Sequence, residues 1–238
     1  MTSPPATANE STVYYKKQAK YNDKRNILNK AYLVEPIVRH RIHDSIFYKQ
    51  HLYLTNESTI LPVITQNVQY IAGVDSIGRP SPFLQCLLRL LELEPAKEII
   101  NVYLDQLSYN EFKYLTALTL LYIRLVYPSE DIYNIFDKHA QDYRKLRFKL
   151  KTPQFNAVQQ PIYYKLGYMD EFIDDLLTQE RVVDLILPRL IPRLSLVERG
   201  LVAPRQYFID DEIQKDMLRG QDNVVSGDSD TSYQSDSD

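Results

Sequence analysis

Two stretches of this chain place apolar side chains on almost every side of a helix. The first follows Pro82 and covers residues 83–93, with the sequence FLQCLLRLLEL. The second covers residues 112–126, with the sequence FKYLTALTLLYIRLV. A helix that is apolar around its whole circumference is normally buried at the centre of a protein. The pattern therefore predicts two central helices on which the core is built.

Other segments repeat apolar residues on one helical face, which predicts amphipathic helices packed around this centre. They cover residues 34–47, 57–71 and 96–107, and a further helix begins near Ser129, whose hydroxyl suits an N-cap. The expected buried stripes contain Ile37, Val38, Ile42 and Ile46 in the first helix, Ile60, Leu61, Ile64, Val68 and Ile71 in the second, and Ile132, Ile135, Phe136, His139, Tyr143 and Leu146 in the last.

The pattern changes from helical to alternating over residues 148–168. Phe148 and Leu150 alternate with lysines, and three residues that favour strands follow at 162–164. This change predicts a β-hairpin with a long loop that contains proline.

An acidic amphipathic helix is predicted directly after the hairpin, from about residue 168. Its apolar face contains Phe172, Ile173, Leu176 and Leu177, and its acidic residues are Asp170, Glu171, Asp174 and Asp175. Carboxylates near the first turns suit the positive end of the helix dipole. Pro188 and Pro192 exclude a long regular helix further on, so the segment up to residue 208 is expected to be extended and packed over the body.

These elements predict a mostly α fold: a single compact multi-helix domain over residues 31–208 with one small β-hairpin. The 238 residues and 44% hydrophobic content suffice for a sizeable core, and only 6 glycines argue against an all-β fold. Residues 1–30 are expected to be a flexible basic arm, and residues 209–238 an acidic disordered tail. Ser235 in the tail is a candidate phosphorylation site, although a purely solubilising tail is an equal alternative.

Charge is distributed unevenly, although the net formal charge is only −3. Residues 1–30 contain six basic and two acidic residues, whereas residues 210–238 contain two basic and nine acidic residues. The part between them is close to neutral, unlike the strongly basic domain of a dedicated nucleic-acid binder. The N-terminus lacks the apolar core of a secretory signal, and arginines interrupt the longest apolar runs, so an intracellular protein without a membrane span is expected.

No group of residues predicts catalysis, a cofactor or a metal site. Residues 73–81 imitate a phosphate loop, but arginine replaces the required lysine and a proline follows, which favours a turn that leads into a helix. Potential metal ligands cluster only at His40, His43, Asp44 and His51. Solvated histidines are favoured there, because zinc requires three or four converging ligands. The single cysteine, Cys86, lies in an apolar helix and is expected to be a buried small side chain.

The one clear basic stretch of the body covers residues 138–151. Its cations are Lys138, Arg144, Lys145, Arg147, Lys149 and Lys151, with Tyr143 and Phe148 between them. Such a stretch can bind RNA, can contact an acidic partner helix, or can be a solvated face, and the sequence leaves these alternatives open. With the tyrosines and acids that follow, the partner-binding candidates are Lys138, Arg144, Lys145, Arg147, Lys149, Tyr163, Tyr164, Tyr168, Asp174 and Asp175.

Several long, non-repetitive blocks occur in one order between residues 33 and 193. They are LVEPIVRHRIHDSIFYK, RPSPFLQCLLRLLELEP, KEII, FKYLTALTLLYIRL, DYRKL, DEFIDDLL and ERVVDLILPRL. Together these blocks resemble the pre-mRNA processing factor thirty-eight family of spliceosome proteins. Residues 150–166 look longer than the link that usually precedes the DEFIDDLL helix in this family.

The resemblance implies a nuclear, non-enzymatic scaffold subunit of the pre-catalytic spliceosome. Such a subunit associates with the tri-snRNP and is needed for pre-mRNA splicing and spliceosome activation. The implied partners are a zinc-finger splicing protein, a helical protein similar to microfibrillar-associated protein one, and tri-snRNP components. The alternative hypothesis is an RNA-binding module that contacts small nuclear RNA through residues 138–151.

Overall fold

The computed structural model describes residues 29–106 and 111–205. Its elements are a 3-10 turn (Lys30–Leu33), α1 (Pro36–Asp44), a π-helical turn (Tyr48–Leu52), α2 (Ile60–Asn67), α3 (Pro82–Leu93), α4 (Lys97–Asp105), α5 (Lys113–Val126), α6 (Ser129–His139), β1 (Lys145–Phe155), β2 (Pro161–Tyr168), α7 (Met169–Thr178), β3 (Arg181–Val182), β4 (Leu185–Ile186) and α8 (Arg193–Glu198). The predicted tail with Ser235, and the predicted arm apart from its last two residues, lie outside the described residues.

Helices α3 and α5 lie at the centre of the fold, as their pattern predicts. The side chains from Phe83 to Leu88 in α3 and from Leu115 to Leu125 in α5 are buried. Cys86 is one of them, and burial raises the pKa of its thiol to about 12. The Ser81 hydroxyl caps α3 by accepting a hydrogen bond from the N–H of Leu84 at 3.2 Å. No helix in the described part is long and apolar enough to cross a membrane.

Helix α1 is shorter than predicted, and its predicted stripe is only partly buried. The helix ends at Asp44 rather than at residue 47. The expected burial of Ile37 and Ile46 is wrong, because their side chains are 68% and 72% exposed while Ile42 is fully buried. Ile37 lies five residues before Ile42 and thus roughly 140° around the helix. Ile46 begins a new helical turn after Ser45, whose extended backbone ends α1 and interrupts the helical spacing from Ile42.

Helix α2 ends at Asn67 rather than at residue 71. Val68 and Ile71 are buried as predicted, but from extended backbone. Ile71 forms a parallel bridge to β1: its N–H donates to the carbonyl of Arg147 at 2.8 Å, and its carbonyl accepts from the N–H of Lys149 at 3.0 Å. The helical pattern therefore stops where strand pairing begins.

Ser129 is the first residue of α6 and not its N-cap, which corrects the prediction. The N-cap is Pro128, and the Ser129 hydroxyl instead accepts a hydrogen bond from the backbone of the segment after β4. Because the helix ends at His139, the predicted stripe also ends there. Tyr143 is 61% exposed, and Leu146 is buried from strand β1 rather than from a helix.

Strands β1 and β2 form the predicted antiparallel hairpin, with longer strands and a shorter loop than expected. Pro153 lies within β1, so the loop covers only residues 156–160. Lys145 pairs with Tyr168 and Lys149 with Tyr164, after which the register shifts before Gln154. This β-bulge accommodates Pro153, which has no N–H to donate to the ladder.

Helix α7 is the predicted acidic amphipathic helix. Phe172, Ile173 and Leu176 are buried, and Leu177 is half-buried against the core. The N–H of Tyr168, just before the helix, donates to Oε2 of Glu171 at 3.1 Å. The apolar face of α7 packs on α5, so this helix fixes the orientation of the strand that precedes it.

The segment after α7 is not simply extended, which corrects the prediction in two places. Strands β3 and β4 form a second, very short hairpin, and α8 is a short helix. Pro192 is the N-cap of α8 and lies outside its interior, where proline is tolerated. The predicted packing over the body is confirmed, because Leu187 and Leu196 are buried.

Arg124 joins α5 to this last segment. Its side chain is 3% exposed, in the middle of the core. Nε donates to the carbonyl of Leu176 at 2.7 Å, and Nη1 donates to the carbonyl of Pro188 at 2.8 Å. A buried polar group must find such partners, so Arg124 fixes where the chain passes after α7.

Candidate partner-binding surface

The hairpin has two chemically different faces, which the register of its strands defines. Residues paired across the ladder share a face, and successive residues alternate between faces. Leu146 and Phe148 lie on the inner face, opposite Gly167 and Lys165. Leu146 is buried, and the Phe148 ring centre lies 6.0 Å from that of Phe172 in α7. A Cβ at Gly167 would come within 2.8 Å of the Phe148 ring, so glycine allows this close packing.

The opposite side, which we call the outer hairpin face, consists of two parallel rows. The β1 row contains Lys145, Arg147 and Lys149, and the β2 row contains Ile162, Tyr164, Leu166 and Tyr168. All of these residues are exposed, those of the β2 row by 37% to 54%. A row of cations therefore lies beside a row of large apolar and aromatic side chains.

Contacts between cations and rings restrain the outer hairpin face. The Arg147 guanidinium lies 5.7 Å from the ring centre of Tyr164, and Nζ of Lys149 lies 5.3 Å from that of Tyr70. The rings of Tyr70 and Tyr164 are 5.7 Å apart, and Nη2 of Arg147 donates to the carbonyl of Gln69 at 3.1 Å. Each cation–ring contact contributes about 0.5–1 kcal/mol at an exposed site, which limits side-chain motion before any ligand arrives.

The positive charge of the outer hairpin face is not neutralised by the described part of the chain. Across residues 29–106 and 111–205, no carboxylate oxygen lies within 4.0 Å of the charged nitrogens of Lys145, Arg147 or Lys149. Lys113 extends this positive region, because its Nζ donates to the carbonyl of Lys145 at 2.5 Å. Unbalanced cations beside an apolar row suit a ligand that offers negative charge and apolar side chains together.

Arg144 belongs to the same basic stretch but has a different role. Its Nε donates to both carboxylate oxygens of Asp142 at 2.9 Å, and its Nη2 donates to Oγ1 of Thr116 at 3.0 Å. Burial acts to raise the pKa of Asp142, but hydrogen bonds from Arg144 outweigh it and lower that pKa below its ordinary value. Arg144 therefore attaches the start of the hairpin to α5.

The remaining sequence candidates lie on other surfaces. Lys138 is exposed on α6, and Tyr163 alternates to the side of β2 opposite Tyr164. Asp174 and Asp175 lie on the exposed side of α7, where partial burial and the neighbouring Asp174 carboxylate raise the pKa of Asp175. The structure thus brings together Lys145, Arg147, Lys149, Tyr164 and Tyr168 and separates the other five candidates from them.

Residues 73–81, which imitate a phosphate loop in sequence, form a closed turn that leads into α3. The Asp75 carboxylate accepts from the N–H groups of Ile77 at 3.0 Å and Arg79 at 2.7 Å. These bonds from the Arg79 N–H and the Ile77 N–H lower the pKa of Asp75. In a phosphate loop such donors would face the ligand, whereas here a carboxylate of the chain already occupies them.

His40, His43 and His51, near α1, are all exposed, and one of them, His43, also contacts the body. Nε2 of His43 lies 2.7 Å from Oε1 of Glu92 in α3, and Nη1 of Arg89 donates to the other oxygen at 3.1 Å. Among the described residues, no three His, Cys, Asp or Glu side chains are placed to share a metal ion.

A cleft of about 820 Å³ lies beside the hairpin, between residues 70–82 and the turn that joins β3 to β4. Asp184 of that turn accepts from the N–H of Val74 at 2.9 Å and from Lys151 at 2.5 Å. Gly73 permits this approach, because a Cβ there would lie 2.3 Å from Oδ2 of Asp184. Lys151 is thus paired with a carboxylate, unlike Lys145, Arg147 and Lys149 of the outer hairpin face.

Comparison with known proteins assigns the chain to a family. The model of the PRP38 family matches residues 23–200. The chain belongs to the PRP38 family. This confirms the resemblance found in the sequence blocks.

Relatives of this PRP38 chain are pre-mRNA splicing factors. It is 36% identical to pre-mRNA-splicing factor 38 of Schizosaccharomyces pombe over 174 residues, which cover 73% of this chain and 76% of that protein. It is 34% identical to pre-mRNA-splicing factor 38 of Drosophila melanogaster over 191 residues, which cover 79% of this chain and 54% of that protein. It is also 34% identical to pre-mRNA-splicing factor 38A of Xenopus tropicalis, with 78% and 55% covered. The chain thus spans only about half of the fly and frog proteins.

A solved structure shares the PRP38 fold. A chain in the crystal structure of the Snu23–Prp38–MFAP1(217–258) complex of Chaetomium thermophilum matches with a TM-score of 0.70 and 35% sequence identity. The match covers 84% of this chain and 96% of that chain. The mostly helical fold class expected from the sequence is therefore confirmed.

The sequence patterns of this PRP38 chain missed several residues of the outer hairpin face. Ile162 and Leu166 were not identified as partner-binding candidates. They are spaced two residues from Tyr164 and Tyr168 along β2, so strand alternation could have predicted that all four share a face. Tyr70 and Lys113 come from distant segments. No local pattern could have indicated that they join the face.

Proposed function

We propose that this PRP38-family chain is a non-enzymatic scaffold subunit of the pre-catalytic spliceosome in the nucleus. In this role it associates with the tri-snRNP and is needed for spliceosome activation. It works through protein contacts, and the outer hairpin face is one of its contact surfaces. The observation that carries this proposal is the cation row of β1 beside the exposed apolar row of β2, without carboxylates of the described chain to balance it.

We infer that its partners are counterparts of Snu23 and MFAP1 together with tri-snRNP components. Support comes from the Chaetomium thermophilum complex, which contains Snu23 and MFAP1(217–258) together with Prp38. The family resemblance adds that the first is a zinc-finger protein and that the second docks helical segments. A rigid helical body, with its core in α3 and α5, suits simultaneous binding of several partners on separate surfaces.

The geometry favours a protein over RNA as the ligand of the outer hairpin face. An RNA site of this kind needs aromatic faces on which bases stack. Here Arg147 and Lys149 already cover one face each of the Tyr164 and Tyr70 rings. Ile162 and Leu166, which complete the row, offer no stacking surface. The basic stretch at 138–151 is also dispersed, since Arg144 and Lys151 have carboxylate partners.

The test is a triple charge reversal on the outer hairpin face. The triple variant Lys145→Glu, Arg147→Glu and Lys149→Glu should lower the affinity for the partner that binds this face at least tenfold, because attraction to negative charge on that partner becomes repulsion. The matched control reverses three exposed cations that are not partner-binding candidates: Arg41→Glu, Lys49→Glu and Arg199→Glu. Purified counterparts of Snu23 and MFAP1 and isolated tri-snRNP serve as ligands in binding titrations, and circular dichroism confirms folding.

The outcome separates the two hypotheses. Unchanged binding of every splicing partner by the outer-face variant would remove this surface from the proposal. If the full chain instead binds small nuclear RNA with an affinity that falls steeply as salt rises, the RNA-binding alternative is correct.

A further inference from the structure

The outer edge of β2 presents unpaired backbone groups. In an antiparallel ladder, the N–H and C=O groups of residues in non-hydrogen-bonded pairs point away from the partner strand. Arg147 and Lys149 are such residues on β1, because their backbones bond outward to Ile71. Their partners are Leu166 and Tyr164. The N–H and C=O of Leu166 and Tyr164 therefore point outward from the other side of the hairpin.

Nothing in the described part of the chain pairs with that edge. The sheet contains two strands, and Ile71 bridges to β1, not to β2. Along β2 the residues from Pro161 to Leu166 are all exposed. Among the contacts with described residues, an outward N–H of β2 is occupied only at the end of the strand, where Tyr168 donates to Glu171. The open edge thus covers most of β2.

We propose that the β2 edge binds an extended acidic segment of a partner protein as a third strand. This inference rests on the proposed function and specifies how one partner contacts the outer hairpin face. In this binding mode, main-chain hydrogen bonds supply affinity and alternate side chains supply specificity.

Charge identifies the occupant as acidic. An added strand would lie next to β2, and its outer-face side chains would share that face with the cations of β1, one strand further on, which no described carboxylate balances. A lysine within an edge strand and a proline at its beginning are devices that discourage pairing between copies of the same chain. A segment that carries carboxylates satisfies the cations, whereas a second β2 would add to the repulsion.

The spacing of the apolar row identifies the occupant as extended. Alternate residues of a strand are spaced by roughly 6.8 Å along it. Ile162, Tyr164 and Leu166 repeat at this spacing, which matches the alternate side chains of a neighbouring strand in register. A helix would match the side chains of this row less well and would leave the outward backbone groups unpaired.

Two synthetic peptides of identical composition test the inference on the full-length chain. In one 12-residue peptide, Val and Thr alternate with Glu and Asp; in the other, the same residues are scrambled so that no alternation remains. We expect the alternating peptide to bind at least tenfold more tightly than the scrambled one. Equal binding of the two peptides, or absence of binding by both, would overturn the inference.

A matched pair of substitutions separates the backbone from the side chain. Leu166→Pro removes the outward N–H without removing a bond of the hairpin, whereas Leu166→Ala removes the side chain and keeps the N–H. The alternating peptide should lose at least tenfold in affinity with Leu166→Pro and about threefold or less with Leu166→Ala. Equal losses would mean that side chains alone form the contact.

Amide hydrogen exchange of the unmodified chain gives a measurement that needs no substitution. The N–H groups of Tyr164 and Leu166 should become protected when the alternating peptide is bound. Continued fast exchange in the saturated complex would overturn strand addition.

The failure of this inference can be distinguished from the failure of the proposed function. If Snu23 and MFAP1 counterparts bind while the peptide leaves these amides unprotected, this inference fails and the proposed function stands. If the peptide protects them but no splicing protein binds, the proposed function fails instead.

Discussion

The central helices and the β1–β2 hairpin use similar apolar residues for opposite purposes. In α3 and α5, large apolar side chains are fully buried, and their packing stabilises the core. On β2, Ile162 and Leu166 are 41% and 54% exposed. Isolated exposed apolar residues are common, but a continuous row beside cations that no described carboxylate balances supports the proposed interaction surface. The comparison teaches that burial identifies what maintains the fold, whereas patterned exposure indicates where to look for a contact surface.

The hairpin can carry such a surface because only one of its faces is needed for attachment. Leu146 and Phe148 on the inner face pack against the body, and Arg144 fastens the start of β1 to Asp142 and Thr116. An antiparallel sheet tolerates one solvated face, whereas a helix that is apolar all round tolerates none. The outer face is therefore free to vary without loss of the fold.

The largest expected contrast is between truncations in the two regions. Phe83→Ala should lower the free energy of unfolding by about 3–5 kcal/mol, because it leaves a cavity in the core. Ile162→Ala should change it by less than about 1 kcal/mol, since the side chain is 41% exposed and its removal leaves no buried cavity. Urea unfolding measures both. Similar losses in the two variants would contradict the distinction between a core and a contact surface.

Arg124 tests whether a polar side chain can belong to the core region. Arg124→Met should destabilise the fold by about 2–3 kcal/mol, because two buried carbonyls lose their donors. Lys97→Met is the control, since it removes an exposed ion pair with Asp131 and should cost less than about 1 kcal/mol. Thermal unfolding followed by circular dichroism compares them, and an Arg124→Met variant as stable as the control would contradict the assigned role.

Arg144 and Lys145 are neighbouring cations at the start of the hairpin, and they allow a structural role to be compared with a binding role. Arg144→Met should destabilise the fold by about 1–2 kcal/mol, because the partly buried Asp142 carboxylate loses its guanidinium donors and keeps the backbone N–H of residue 144. Lys145→Met should leave stability within about 0.5 kcal/mol of the unmodified chain while it weakens partner binding. Paired measurements of unfolding and of partner affinity should therefore rank the two variants in opposite order.

The smallest expected effect is a pH dependence in the helical body. Burial lowers the pKa of His139 at the end of α6 below its ordinary value of 6.5, and it outweighs the opposing Asp105 and Asp142 carboxylates. The unfolded chain therefore binds a proton more readily than the folded one, so stability should fall as pH drops below about 6.5. Replacing His139 by Gln should flatten this part of the stability profile between pH 7 and 5, and an unchanged slope would contradict the assignment.

Local patterns predicted much of the fold. They located α3, α5, the hairpin and α7, because each of these elements has a strong period of its own. They failed at ends and at capping positions. Ser129 looks like an N-cap in isolation, but its hydroxyl bonds to a segment some sixty residues away in the chain, which no local pattern records.

The candidate surface was predicted only in part, for a related reason. The sequence indicated which basic residues and tyrosines were candidates. It did not show that Tyr163 and Arg144 lie apart from the candidates that share the outer hairpin face. Which residues share a face depends on strand register, and the β-bulge between Lys149 and Gln154 shifts that register. Which cations stay unpaired depends on carboxylates from other parts of the chain.

The sequence alone was enough to assign a helical splicing-factor family. Long runs that are apolar all round must be buried as central helices, and several blocks in one order rarely match a family by chance. Three-dimensional packing was required to turn a run of cations and tyrosines into a surface. Side-chain direction and charge balance are properties of neighbours that are distant in sequence, so they arise only when Ile71, Asp142 and α7 come together around the hairpin.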